Sequence, residues 1–300
     1  MTAPPPPPAD LAPLIGQYGS SGALLDIFEA DGALWVMGSG SEPEALERID
    51  ATTFKGRRGK QRFTFEANGG RVLVDRVPSQ RFDIGADLVA AFQQSLDPEA
   101  YAASPQSDDP PREALASLGD MAGVRLDIRY ATPNNFMGFA IYDRPCAYAR
   151  PVVIDALARV QTALAGKGYG LVVHDAYRPW SVTKMFWDVV PPASRAFVAD
   201  PAIGSKHNRG CAIDLSLCDA KTGRLLEMPS RYDEPTERAH SHYRGGTSLA
   251  RWHRDLLRRA MEAEGFAVQA DEWWHFDFHA WQDYPIENVS FAALAGLRRA

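Results

Sequence analysis

A buried carboxylate must be answered by a cation, a metal or several donors. Asp214 poses that demand in Ser205-Lys-His-Asn-Arg-Gly-Cys-Ala-Ile-Asp214, where it opens the apolar run Leu215-Ser-Leu217. The run reads as an interior strand over Ala212 to Leu217, so few folds can accept the aspartate without a partner. His207 lies upstream, and Gly210 between them permits a sharp bend that lets the two side chains converge. A neutral imidazole and a carboxylate are two of the three protein ligands of a catalytic zinc site, whose fourth position stays open. A buried Asp–His pair, or an Asp–Arg pair using Arg209, would satisfy the same residues.

Glu272-Trp-Trp-His275 offers what such a site still lacks. His275 would be a third ligand, and Glu272 a carboxylate near the metal, free to take a proton from water. In a plain strand, residues three apart point to opposite faces. Glu272 and His275 therefore share a site only if the strand twists or bulges there, or if it forms the edge of the site. Trp273 and Trp274 read as packing residues. Asp277 and His279 compete as ligand candidates at the exit of the strand, whereas His174, His240, His242 and His253 stand outside the pattern. A further piece is His174-Asp-Ala-Tyr-Arg-Pro-Trp180, directly after the buried strand Gly170–Asp175. Pro179 holds Arg178 in an extended conformation. Its guanidinium is placed either to stabilise an oxyanion or to pair with Asp175.

The rest of the chain sets this constellation in a two-part architecture. Residues 1–10 form a Pro-rich tail, and 11–95 read as a small all-β domain. Its signals are hairpins: Leu24–Phe28 and Ala33–Met37 flank Asp31-Gly32, and Arg62–Glu66 and Arg71–Asp75 flank Asn68-Gly-Gly70. Leu88–Phe92 reads as a short helix. Residues 96–118 are a linker by composition, with Ser104-Pro-Gln-Ser-Asp-Asp-Pro-Pro111 at their centre. Residues 119–300 mix strands (Val124–Tyr130, Gly170–Asp175, Ala212–Leu217, Phe266–Gln269, Glu272–Phe278) with helices at Pro151–Lys167, Ser181–Val189 and Ser248–Glu264. Helices grouped around an antiparallel sheet make this part α+β.

With 45% hydrophobic and 23% charged residues, the 300-residue chain can bury a sizeable core. A net charge of -6 with no Lys/Arg-rich block argues against nucleic-acid binding, and no apolar run is long enough for a membrane span. The three cysteines, Cys146, Cys211 and Cys218, fit neither a zinc ribbon nor a disulfide framework. Met-Thr-Ala followed by five prolines lacks a basic n-region and an apolar h-region. The chain reads as cytoplasmic as it stands, and as periplasmic if a signal once preceded it.

Taken in order, Arg129-Tyr-Ala-Thr-Pro-Asn-Asn-Phe-Met-Gly138, Asp-x-Tyr-Arg-Pro, Ser-x-His-x-x-Gly-x-Ala-x-Asp and Glu-x-x-His resemble the zinc D-alanyl-D-alanine dipeptidases over about residues 119–293. That group includes the vancomycin-resistance dipeptidase and is related to zinc D,D-carboxypeptidases and murein peptidases. The resemblance implies one zinc ion per chain, held by His207, Asp214 and His275. It further implies Glu272 as general base and then acid, Arg178 as the oxyanion cation, and Tyr130, Asp175 and Ser205 around a small D,D-dipeptide. Hydrolysis of D-alanyl-D-alanine to two D-alanines is the expected activity. A D,D-carboxypeptidase or murein endopeptidase is the first alternative, and a silent zinc-containing peptidoglycan-binding protein the second. The segment from Leu14-Ile-Gly-Gln-Tyr-Gly19 through the first hairpin resembles the small lipocalin-like β domain appended to some bacterial hydrolases.

Overall fold

The computed structural model describes residues 2–20, 22–83, 93, 106–119, 121–190, 195 and 198–297. They fall into two compact units, Met1–Leu88 with Glu227–Asp255, and Val89–Leu226 with Leu256–Ala300. The expected helix at Leu88–Phe92 lies outside the described residues.

The first unit is built on a closed eight-stranded antiparallel barrel: β1 (Gly16–Ser20), β2 (Ala23–Ala30), β3 (Ala33–Gly38), β4 (Glu44–Arg48), β5 (Thr53–Gly56), β6 (Arg62–Phe65), β7 (Arg71–Val74) and β8 (Val77–Phe82). Each strand pairs with the next, and β8 returns to β1 through Tyr18↔Arg81. The β2–β3 hairpin closes on Asp31 and Gly32, both with positive φ (53° and 76°), as the tight turn requires. Alternate residues point inward, and Tyr18, Ile27, Leu34, Leu46, Phe54, Phe63 and Val72 fill the interior. Leu11, Leu14 and Ile15 of the preceding segment join that core. Tyr18 secures them by donating its hydroxyl to Leu14 O (2.9 Å) and Gly69 O (3.1 Å). Segment 227–255 belongs to the same unit, with the Tyr243 hydroxyl 2.6 Å from Asp26 Oδ1 and Glu29 accepting from Ser248 N (2.8 Å).

The second unit contains β9 (Ala116–Ser117), β10 (Val124–Leu126), β11 (Tyr148–Ala149), helix α1 (Pro151–Ala165), β12 (Tyr169–Asp175), helix α2 (Trp180–Val189) and β13 (Ala212–Asp219). Helix α3 (Ser248–Glu262), whose residues up to Asp255 belong to the first unit, β14 (Phe266–Gln269), β15 (Glu272–Phe278) and helix α4 (Phe291–Leu297) follow in the chain. The main sheet has the order β10-β12-β13-β15-β14, which places β13 and its aspartate at the centre. This corrects one expectation: the sheet is mixed, because β10 and β12 run parallel (Val124↔Leu171). Helix α1 is the crossover that a parallel neighbour needs. The expected strand Val124–Tyr130 also stops early, at Leu126. The amide of Asn135 donates to the carbonyls of Arg129, Thr132 and Phe139 (3.2, 2.6 and 2.9 Å). That gathering folds Arg129–Ala131 into a 3-10 turn.

Candidate active site

Three elements bring the site together. The His207–Arg209 turn ends at Gly210, whose φ of 69° is the left-handed value glycine adopts without strain. The chain then enters β13, and Asp214 stands opposite His275 in the antiparallel register with β15. Asp175, at the end of β12, pairs with Asp214 across a register shift that follows Val173. One sheet position therefore aligns Asp175, Asp214 and His275 side by side, and the turn swings His207 over them.

His207 Nε2 lies 3.2 Å from His275 Nδ1 and 3.3 Å from Asp214 Oδ1, and His275 Nδ1 lies 3.0 Å from the same oxygen. Metal–ligand bonds of about 2.0–2.1 Å at tetrahedral angles require donor separations of about 3.3 Å. The three buried residues thus form a donor set able to hold one metal ion. The remaining ring nitrogens are tied down: His207 Nδ1 lies 2.6 Å from Ala176 O, and His275 Nε2 lies 2.9 Å from Asp277 Oδ1. With a proton at each of those outer positions, both rings turn a lone pair inward.

The local electrostatics favour a cation. Burial alone would raise the Asp214 carboxyl, but the two imidazoles outweigh it and hold Asp214 well below the usual carboxylate range. Burial alone would lower His275, yet hydrogen bonds to Asp214 and Asp277 push it up to about 10. Glu272 Oε2 sits 3.7 Å from His275 Nδ1, and burial raises its carboxyl above the ordinary value. The geometry that lets Glu272 and His275 meet is an irregularity in the β14–β15 pairing. Val268↔Phe276 is followed directly by Gln269↔Glu272, so residues 273–275 bulge out of register.

Arg178 forms the ion pair with Asp175 that its motif allowed. Its Nε and Nη2 donate to Asp175 Oδ2 (3.0 and 2.8 Å), and Nη2 also lies 3.9 Å from Asp214 Oδ2. The guanidinium stands over the rings of Tyr130 and Phe186 at 5.3 and 5.0 Å. Tyr142 donates its hydroxyl to the other Asp175 oxygen at 2.9 Å. Ser205 is buried, and its hydroxyl oxygen accepts from His207 N (3.2 Å). All eight singled-out residues, Tyr130, Asp175, Arg178, Ser205, His207, Asp214, Glu272 and His275, therefore fall in one region of the second unit.

Sequence reasoning treated Asp277 as a competing ligand, whereas it supports His275 from behind. The strand period already placed it on the face of His275. Tyr142 and Phe186 carried no signal, since nothing in their spacing sets them apart from core aromatics. Trp273 and Trp274 pack in the interior, edge to face at 5.4 Å.

A family model described as D-ala-D-ala dipeptidase matches residues 114–292, which include every residue of this cluster. The chain belongs to that family. Curated relatives of the same name extend the similarity. The D-alanyl-D-alanine dipeptidase of Escherichia coli is 35% identical over 171 residues, covering 57% of this chain and 87% of the relative. Those of Enterococcus faecalis and Enterococcus faecium are each 33% identical, covering 57% and 56% of this chain and 93% and 91% of theirs. The D-ala-D-ala dipeptidase match begins beyond the barrel strands β1–β8 and takes in the whole five-stranded sheet.

Proposed function

We propose that this chain is a zinc-dependent dipeptidase that hydrolyses D-alanyl-D-alanine to two D-alanines. The observation that carries the reading is the cluster of His207, Asp214 and His275, with donors 3.0–3.3 Å apart, in a chain of this family. A zinc ion bound there supplies Lewis acidity toward the scissile carbonyl and toward water.

The chain's own residues do the rest. Glu272 is close to the cluster without being locked into it, and burial has raised its proton affinity. It takes a proton from the attacking water as oxygen bonds to the carbonyl carbon. It then delivers that proton to the leaving nitrogen as the C–N bond breaks. Arg178 faces the developing oxyanion. Asp175 and the rings of Tyr130 and Phe186 hold its guanidinium, so little reorganisation accompanies charge development. With Arg178 and Tyr142 both on its carboxylate, Asp175 supports the arginine rather than meeting the substrate ammonium. Ser205 and Tyr130 line the approach to the dipeptide.

D-alanine release from free and from N-acetylated D-alanyl-D-alanine, by the zinc-loaded chain, tests the substrate assignment. A dipeptidase cleaves the free dipeptide and rejects the acylated one. Equal or faster cleavage of the acylated form would make the chain a D,D-carboxypeptidase and overturn the assignment.

A further inference from the structure

Asn208 meets the residues of the proposed reaction only through the main chain of Ser205 and Arg178, yet it is fully buried and uses its whole amide. Its Oδ1 accepts from Ser205 N at 2.7 Å. Its Nδ2 donates to Arg178 O at 2.8 Å and to Thr183 Oγ1 at 2.9 Å. These partners orient the amide unambiguously, since the reversed group would face donor to donor and acceptor to acceptor. No other side chain of this size combines one acceptor and two donors. Aspartate would lose both donations, and leucine all three bonds.

The bond to Arg178 has a counterpart in the other direction. Arg178 N donates to His207 O at 3.1 Å. Both main-chain polar groups of the arginine are therefore held by the His207–Asn208 dipeptide, and Pro179 contributes no N–H of its own. The dipeptide is fixed from behind as well. Glu287 N donates to Asn208 O (2.9 Å), and the fully buried Arg150 donates from N to Gly210 O (3.0 Å) and from Nε to Arg209 O (2.7 Å). Arg150 Nη2 reaches Glu287 Oε1 at 3.3 Å, which closes the brace. A shift of the Asn208 amide would move the Arg178 backbone relative to His207.

We infer that Asn208 is a positioning residue that sets the Arg178 guanidinium against the metal-ligand turn, acting on catalysis through Arg178. The inference rests on the role given to Arg178 under the proposed function. Thr183 belongs to the same device, because its hydroxyl holds the second Asn208 N–H.

A double-substitution cycle tests it. In zinc-loaded chain, Asn208→Ala should lower kcat about tenfold to a hundredfold, with KM within about twofold and zinc per chain unchanged. In an Arg178→Ala background, the same substitution should change kcat by less than about twofold. A reading without turnover accompanies it: in metal-free chain, the Nε–H resonance of Arg178 should shift or broaden in Asn208→Ala. Equal losses in both backgrounds, or a loss explained by missing zinc, would overturn the inference. If Asn208→Ala does not fold, the Thr183→Val cycle decides, with an expected fall of about threefold that vanishes without Arg178. Additive losses there overturn the inference equally. Wild-type turnover in Arg178→Ala alone would instead overturn the role of Arg178, and the inference with it.

Discussion

At the scale of single residues, burial sets the character of the groups that matter. Burial raises the proton affinity of Glu272, which stands beside the His–Asp–His cluster without bonding into it, so its removal should act on turnover and not on metal. Glu272→Ala should keep its zinc and lose kcat by on the order of 10²–10⁴-fold, read as metal content and D-alanine release. Asp277→Ala should do the reverse, weakening zinc affinity about 10- to 100-fold because His275 loses its orienting acceptor. Competition with a chelating dye measures that. Asp26 in the barrel makes a stability prediction. Burial raises its folded-state carboxyl, and the hydrogen bonds from Tyr243 and Gln17 offset this only in part. A raised carboxyl contributes stability below its unfolded value, and that contribution is lost as pH rises through the folded value. Asp26→Asn should therefore gain thermal stability on the wild type as pH goes from about 4 to 8. A melting temperature difference that is flat with pH would contradict this.

At the scale of elements, the site was legible where chemistry forces a residue type and obscure where geometry comes from pairing. Asp214 in an apolar run announced a partner, and Gly210 announced a bend. Substituting Gly210 by alanine puts a Cβ 2.5 Å from Leu115 Cδ2 in a left-handed conformation. The cost should exceed about 1 kcal/mol, with zinc affinity falling too, since the turn carries His207. Chemical denaturation with and without zinc separates the two effects. The meeting of Glu272 with His275 was stated only as a condition on the strand, because a bulge depends on the neighbouring strand and leaves no local mark. Val124–Tyr130 shows the opposite failure. Its alternation is that of a strand, but Asn135 takes the Arg129 carbonyl and gathers it with those of Thr132 and Phe139 into a turn. The parallel setting of β10 was likewise hidden, since it follows from the helical crossover and not from its own three residues.

At the scale of the molecule, the barrel was visible through its turn dipeptides, but its partner segment was not. Nothing in residues 227–255 signals that Tyr243, Ser248 and Arg251 bond to strand β2. Those contacts are long-range pairs of ordinary residue types: Tyr243 with Asp26, Ser248 with Glu29, and Arg251 with Glu29 O at 2.7 Å. A chain lacking residues 1–83 should expose this segment. Trypsin should then cleave at Arg231, Arg238 or Arg244 about tenfold faster or more. Unchanged cleavage would mean the segment holds itself. In the proposed function, one ion at His207, Asp214 and His275 serves the reaction. Zinc titration of metal-stripped chain, followed by D-alanine release from D-alanyl-D-alanine, measures this directly. The expected result is activity that rises linearly and stops at one equivalent per chain, and stays at background in His275→Ala. Activity independent of added zinc, or undiminished in that variant, would contradict it.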